Sequence, residues 1–141
     1  MKIMFCHDGT DHANMAMIRI VNYFKSQKPE MVLLCISEDV LDASQESDAI
    51  TDEYTSELSE VLRQAAEWIS GNGLEVNVMM ANGEPRQMIM EAIEKKSPDL
   101  VVIARREKSL LESVFRKSVS AYLVKNAGCD LLILGPVKQQ D

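Results

Sequence analysis

The sequence predicts an α/β domain built on one doubly wound parallel sheet with helices on both faces, and three observations carry that expectation. Strand-like and helix-like segments alternate along the chain in the order β-α-β-α-β-α-β-α-β. Two of the strand-like runs, Met31-Val32-Leu33-Leu34-Cys35-Ile36 and Leu100-Val101-Val102-Ile103, are apolar at every position, as strands covered on both faces are. The length of 141 residues suffices for one full core and not for two, so a single domain over 1–141 is expected.

Each element has its own signal. Lys2 to Cys6 reads as a short buried strand ended by the turn His7-Asp8-Gly9-Thr10, with Thr10 or Asp11 available to cap a helix. Ala13, Ala16, Met17, Ile20, Val21 and Phe24 recur at helical spacing, and Pro29 is expected to stop that helix. Beyond the second strand, the acidic, Ser-rich stretch 38–50 reads as a long loop. Leu58, Val61, Leu62, Ala65 and Ile69 mark a second helix, closed by Gly71-Asn72-Gly73. Leu74 to Met80 alternates as a third strand, and Asn82-Gly83-Glu84-Pro85 turns into a helix through Met88, Ile89, Ala92 and Ile93 that ends at Ser97-Pro98. After the fourth strand, Ser118 is a natural N-cap for a helix carrying Val119, Tyr122 and Leu123, closed by Gly128. Leu131 to Leu134 is the fifth strand, stopped by Gly135-Pro136.

The net charge of −7 argues against nucleic acid and anionic membrane as partners. No apolar run approaches the ~20 residues of a membrane span, and no signal peptide is recognisable, so a cytoplasmic protein is expected. Cys6, Cys35 and Cys129 are an odd number with no close pair, which suits free thiols in a reducing compartment. Charge is unevenly spread: Glu38 to Leu62 holds nine acids and no Lys or Arg, whereas Arg105 to Lys117 holds five bases against two acids.

Ligands of such sheets bind beyond the carboxyl ends of the strands, where strand order reverses. The segments to search are therefore His7 to Thr10 and Ala104 to Ser118. The second occupies the position of a phosphate cradle but contains no glycine anywhere between Gly83 and Gly128. Backbone cradles need glycine, because N–H groups must approach the anion closely and some residues take φ > 0. A phospho-acceptor receiver, a flavodoxin and a P-loop NTPase are each excluded by absent residues at their strand ends or loops. Cys6, His7, Asp8 and His12 cluster in sequence, but neighbouring strand residues face opposite ways, so these are read as structural residues and no metal is expected. Asp8 before Gly9 suits either a ribose-hydroxyl acceptor or an Asx-turn. The nine methionines read as core filler.

These parts, taken in order, resemble the universal stress protein family over nearly the whole chain. The resemblance rests on Asp8-Gly9-Thr10 before an Ala-rich helix, the second strand running into Ile36, Gly83-Glu84-Pro85, Pro98-Asp99-Leu100-Val101-Val102-Ile103, and Asn126-Ala127-Gly128-Cys129-Asp130-Leu131-Leu132-Ile133-Leu134. It implies an adenine nucleotide alpha hydrolase-like sheet in the order 3-2-1-4-5 and a homodimer paired through the last strand, Leu131, Leu132, Ile133 and Leu134. It also implies a nucleotide site near Asp8, Ile36, Ala104, Ser118, Val119 and Ser120. ATP-binding members resemble G-x-x-G-x9-G-[ST] after the fourth strand; here the three glycine positions hold Ala104, Glu107 and Lys117, and Ser118 alone matches. The expectation is thus a non-enzymatic stress-response homodimer with a vestigial nucleotide site, no cofactor, and an unidentified protein partner met through its helical faces or basic loop. One alternative is an ATP- or AMP-dependent switch or slow ATPase whose phosphates meet Arg106 and the basic side chains around it. The other is a small α/β enzyme or electron-transfer domain using Asp8 and His7.

Overall fold

A computed structural model describes residues 1–37, 49–51, 60–105 and 117–135. Their strands are β1 (Lys2–His7), β2 (Glu30–Ser37), β3 (Ala49–Thr51), β4 (Val76–Asn82), β5 (Leu100–Ala104) and β6 (Asp130–Leu134). The helices are α1 (Asp11–Phe24), α2 (Glu60–Gly71), α3 (Pro85–Lys96) and α4 (Lys117–Asn126). In the sheet they run β3-β4-β2-β1-β5-β6. The five strands anticipated from sequence pair in parallel in the order expected, third-second-first-fourth-fifth. The short β3 adds an antiparallel edge on β4, with Ile50 opposite Ala81, at the end of the 38–50 stretch read as loop.

The alternation of side chains across the sheet divides the core in two. Ile3, Phe5, Leu33 and Val102 face one way and meet Ala16, Met17 and Ile20 of α1 and Ala65 and Ile69 of α2. Met4, Leu34, Val101 and Ile103 face the other way and meet Met88, Ile89 and Ala92 of α3 and Val119 and Leu123 of α4. Strand order reverses at β1, which pairs in parallel with β2 on one side and with β5 on the other. Open space for a ligand at the strand ends is created at that reversal.

Helix ends follow local chemistry, with some departures from expectation. Thr10 caps α1, its hydroxyl accepting from the Ala13 N–H at 3.1 Å. The helix stops at Phe24, ahead of Pro29, and a 3-10 turn over 25–27 leads to Lys28 at φ 50°. Glu84 caps α3, its carboxylate accepting from the N–H groups of Arg86 and Gln87 at 3.2 and 3.0 Å, with Pro85 in the first turn. Ser118 lies within the first turn of α4 and not ahead of it, since the helix already includes Lys117. Tyr122, named from sequence beside Val119 and Leu123, is 38% exposed while those two are buried, and the guanidinium of Arg86 sits 5.7 Å from its ring centre. Leu58 lies outside the described residues.

Candidate functional site

The site is built from the carboxyl ends of β1, β2 and β5 and from the start of α4. β1 runs one residue further than its apolar pattern indicates and ends on His7, which is 0% exposed. Gly9 then turns the chain at φ +83°. An added Cβ there would meet nothing within 4 Å, so glycine is required by backbone conformation alone. Gly9→Ala is expected to lower stability by about 1–2 kcal/mol, the cost of left-handed backbone for a residue with a Cβ, measurable by chemical denaturation.

Around this turn the polar groups form a chain of contacts. The Gly9 N–H donates to Nδ1 of His7 at 2.9 Å. Oδ1 of Asp8 accepts from both the N–H and the hydroxyl of Thr10, at 3.1 and 2.5 Å. The same hydroxyl caps α1, so the conformation of the turn and the start of the helix are set together. On the far side of the reversal, Nε2 of His12 lies 3.3 Å from the carbonyl oxygen of Arg105, and the Arg105 N–H donates to the Leu134 carbonyl at 3.0 Å. The β1–α1 turn and the end of β5 are thereby held across a narrow gap.

Burial sets the thiols apart from chemistry here. Desolvation pushes Cys6 up to about 12 and Cys35 up to about 11, so both stay protonated and inert near neutral pH. Among the described residues no group of three or more His, Cys, Asp and Glu side chains is placed to hold a metal.

The residues singled out from sequence separate into three groups. Asp8 stands half-buried at the reversal, with Oδ1 held by Thr10. Ile36 and Val119 are 2% and 4% exposed and pack in the core on the α3–α4 face, while Ala104 is 6% exposed and packs on the other face. Ser120 is half-buried on α4. Arg106 lies outside the described residues, as does the side chain of Ser118. Ala104 keeps ordinary backbone, the positive-φ non-glycine residues among those described being Lys28 and Ser97, so alanine is tolerated at the first of the three glycine positions. His7 corrects the sequence reading: it is the last residue of β1 and fully buried, not a residue of the turn. A groove of about 620 Å³ between α3 and α4, lined by Glu84, Arg86, Met90, Ile93, Glu94 and Tyr122, was not foreseen; the spaced polar face of α3 carries no signal for it.

Comparison with known proteins places this geometry. The sequence profile of the Universal stress protein family matches residues 1–135. The chain belongs to that family. It is 32% identical over 94 residues to universal stress protein MJ0531 of Methanocaldococcus jannaschii, a match covering 67% of this chain and 53% of that one. The chain thus spans about half the length of that relative. With universal stress protein YxiE of Bacillus subtilis it shares 25% identity over 144 residues, covering 94% of this chain and 97% of the relative. A universal stress protein family protein of Arabidopsis thaliana, solved with AMP bound, superposes with a TM-score of 0.68 at 16% identity, over 96% of this chain and 92% of that one. The universal stress protein of Archaeoglobus fulgidus in complex with dAMP gives 0.63 at 15%, over 94% and 96%. Likeness at such identity establishes the shared fold.

Proposed function

We propose that this universal stress protein is a cytoplasmic, non-enzymatic homodimer that binds the adenosine monophosphate portion of a nucleotide weakly and gains nothing from the further phosphates. The observation that carries this reading is the contrast between the two halves of the site. Asp8 sits on an ordered turn at the sheet reversal, and its Oδ2 makes no hydrogen bond among the described residues, so it is available to ribose hydroxyls. The motif's glycine positions hold Ala104, Glu107 and Lys117, which takes glycine, and its freedom for close backbone approach, from the segment and adds a negative charge to it. Two of the structural neighbours were solved with AMP or dAMP, which suits a site of this reduced reach. Without a triphosphate cradle nothing holds a β- or γ-phosphoryl group for transfer, and the protein would act by engaging partners. Calorimetry with AMP and ATP tests this: ATP is expected to bind no more tightly than AMP, and a tenfold preference for ATP would overturn the reading in favour of a nucleotide switch using the basic residues around Arg106.

Dimerisation is supported by the sheet edge that β6 forms among the described residues. β6 is the last strand, its Ile133 is 36% exposed, and Leu131 and Leu132 are half-buried. Val124 of α4 is 67% exposed. An apolar edge strand of this kind, with no Lys or Pro to blunt it, pairs with another strand or aggregates. A second copy of the same edge is the closed, symmetric solution.

A further inference from the structure

The imidazole of His7 is fully buried, and the structure specifies its protonation state. Nδ1 accepts the Gly9 N–H at 2.9 Å, so in the neutral ring the proton is on Nε2. Neither that Nε2 nor Oδ1 of Asn14, on the first turn of α1, has a hydrogen bond of ordinary geometry. The ring of Phe5 stands edge-on at 5.9 Å. A buried ring wedged between an aromatic edge and a backbone donor has one conformation and one proton arrangement that suit it.

We propose that His7 is a positioning residue: its neutral ring holds Gly9, and through Gly9 the turn that presents Asp8, so that ligand binding at Asp8 weakens when the ring takes up a proton. The inference rests on the nucleotide reading above for its ligand, and on the hydrogen bond alone for its turn. Protonation puts an N–H at Nδ1 facing the Gly9 N–H, so an acceptor becomes a second donor and the bond cannot survive. Asp8 and Thr10 are tied to the same turn by the two bonds to Oδ1, and the loosening extends to the α1 cap.

The groups around the ring set the pH range. Burial pulls the ring below its ordinary 6.5, opposed in part by the Asp8 carboxylate and the Asn14 side chain. β2 contributes Cys35, paired in register with His7 and neutral in this range. β5 contributes the uncharged Ala104, next after the Cys6–Ile103 pair. From α1 come Asn14 and, nearer its start, Asp11 and His12, the last held against Arg105. The folded state thus binds the proton more weakly than the unfolded chain, so stability is complete above pH 6.5 and declines as the pH falls through the folded-state value.

The test uses the full chain in three forms, wild type, His7→Asn and His12→Asn. Asparagine keeps an acceptor near the position of Nδ1 and cannot titrate. Long-range nitrogen–proton NMR spectra of the two imidazole rings report tautomer and protonation, and the Gly9 amide reports the turn. In wild type the His7 ring is expected with Nδ1 bare at pH 7.5, and its titration below pH 6.5 should carry the Gly9 amide along with the same midpoint. AMP affinity should fall about five- to tenfold with that midpoint, the size of one lost hydrogen bond. His12→Asn should leave this titration in place; His7→Asn should keep the Gly9 shift and AMP affinity constant between pH 7.5 and 5. A protonated Nδ1 at pH 7.5, or a Gly9 amide indifferent to the ring, overturns the proposal. Absence of AMP binding at every pH removes the nucleotide reading and the ligand half of the proposal, while the Gly9 titration still decides whether His7 holds the turn.

Discussion

Ile133→Asp is expected to turn a dimer into a folded monomer. Ile133 lies on the outermost strand and is 36% exposed in the single chain, so the substitution asks little of the monomer's core. In a symmetric pairing of β6 with its copy the same position is buried twice. Desolvating an unpaired carboxylate at each position costs at least about 2–3 kcal/mol, which raises the dissociation constant by roughly three to four orders of magnitude. Sedimentation at micromolar concentration, alongside the circular dichroism of both forms, separates loss of pairing from loss of fold. A wild-type chain that already runs as a monomer, or a variant that stays dimeric, refutes pairing through this edge. The opposite edge, β3, offers little competition, for at three residues it is too short to template another chain.

How far the sequence announces this fold depends on how locally each element is determined. β2 is apolar from Met31 to Ile36 and β5 throughout, and no competing local structure suits such short runs between turn signals, so their place in the sheet centre is legible. α1 is legible for the same reason, its Ala13, Ala16, Met17, Ile20 and Val21 all buried. β3 is not legible: Ala49-Ile50-Thr51 has no periodicity to offer, and its partner Met80-Ala81-Asn82 lies some thirty residues on. Tyr122 is named with Val119 and Leu123 from sequence, and nothing in that spacing shows that its ring is accommodated at the surface under Arg86.

At the site the same division holds. Asp8 is announced by a carboxylate and a glycine after an apolar run. Ile36 and Val119 are apolar whether they line a cleft or fill a core, and their burial at 2% and 4% is a property of the α3–α4 face that sequence cannot display. His7 is missed for an instructive reason. A polar residue before Asp-Gly looks like the first turn residue, and only the backbone N–H of Gly9, folded back onto Nδ1, makes it suitable for the end of a strand.

Restoring glycine should restore the triphosphate. In a Glu107→Gly/Lys117→Gly double variant ATP is expected to bind at least about tenfold more tightly than in wild type, with AMP affinity little changed. Two effects act in the same direction: a negative charge is removed from the segment proposed to meet the phosphates, and glycine at the start of α4 lets an anion approach its backbone N–H groups. A Glu107→Gln/Lys117→Ala variant separates them, because it removes the charge and most of the side-chain bulk but leaves the backbone confined to φ < 0. If that variant gains ATP affinity equally, electrostatic repulsion was the barrier; if the glycine variant alone gains, backbone approach was. The change at 117 costs helix stability of about 1 kcal/mol, well below what would unfold the domain, so calorimetry reads binding. Should neither variant gain, the basic side chains of 105–117 were already serving the phosphates, and the wild type must then prefer ATP to AMP. Ala104 is left unchanged in both variants because its methyl group is 6% exposed and packs in the core beside Leu134, on a backbone that needs no glycine.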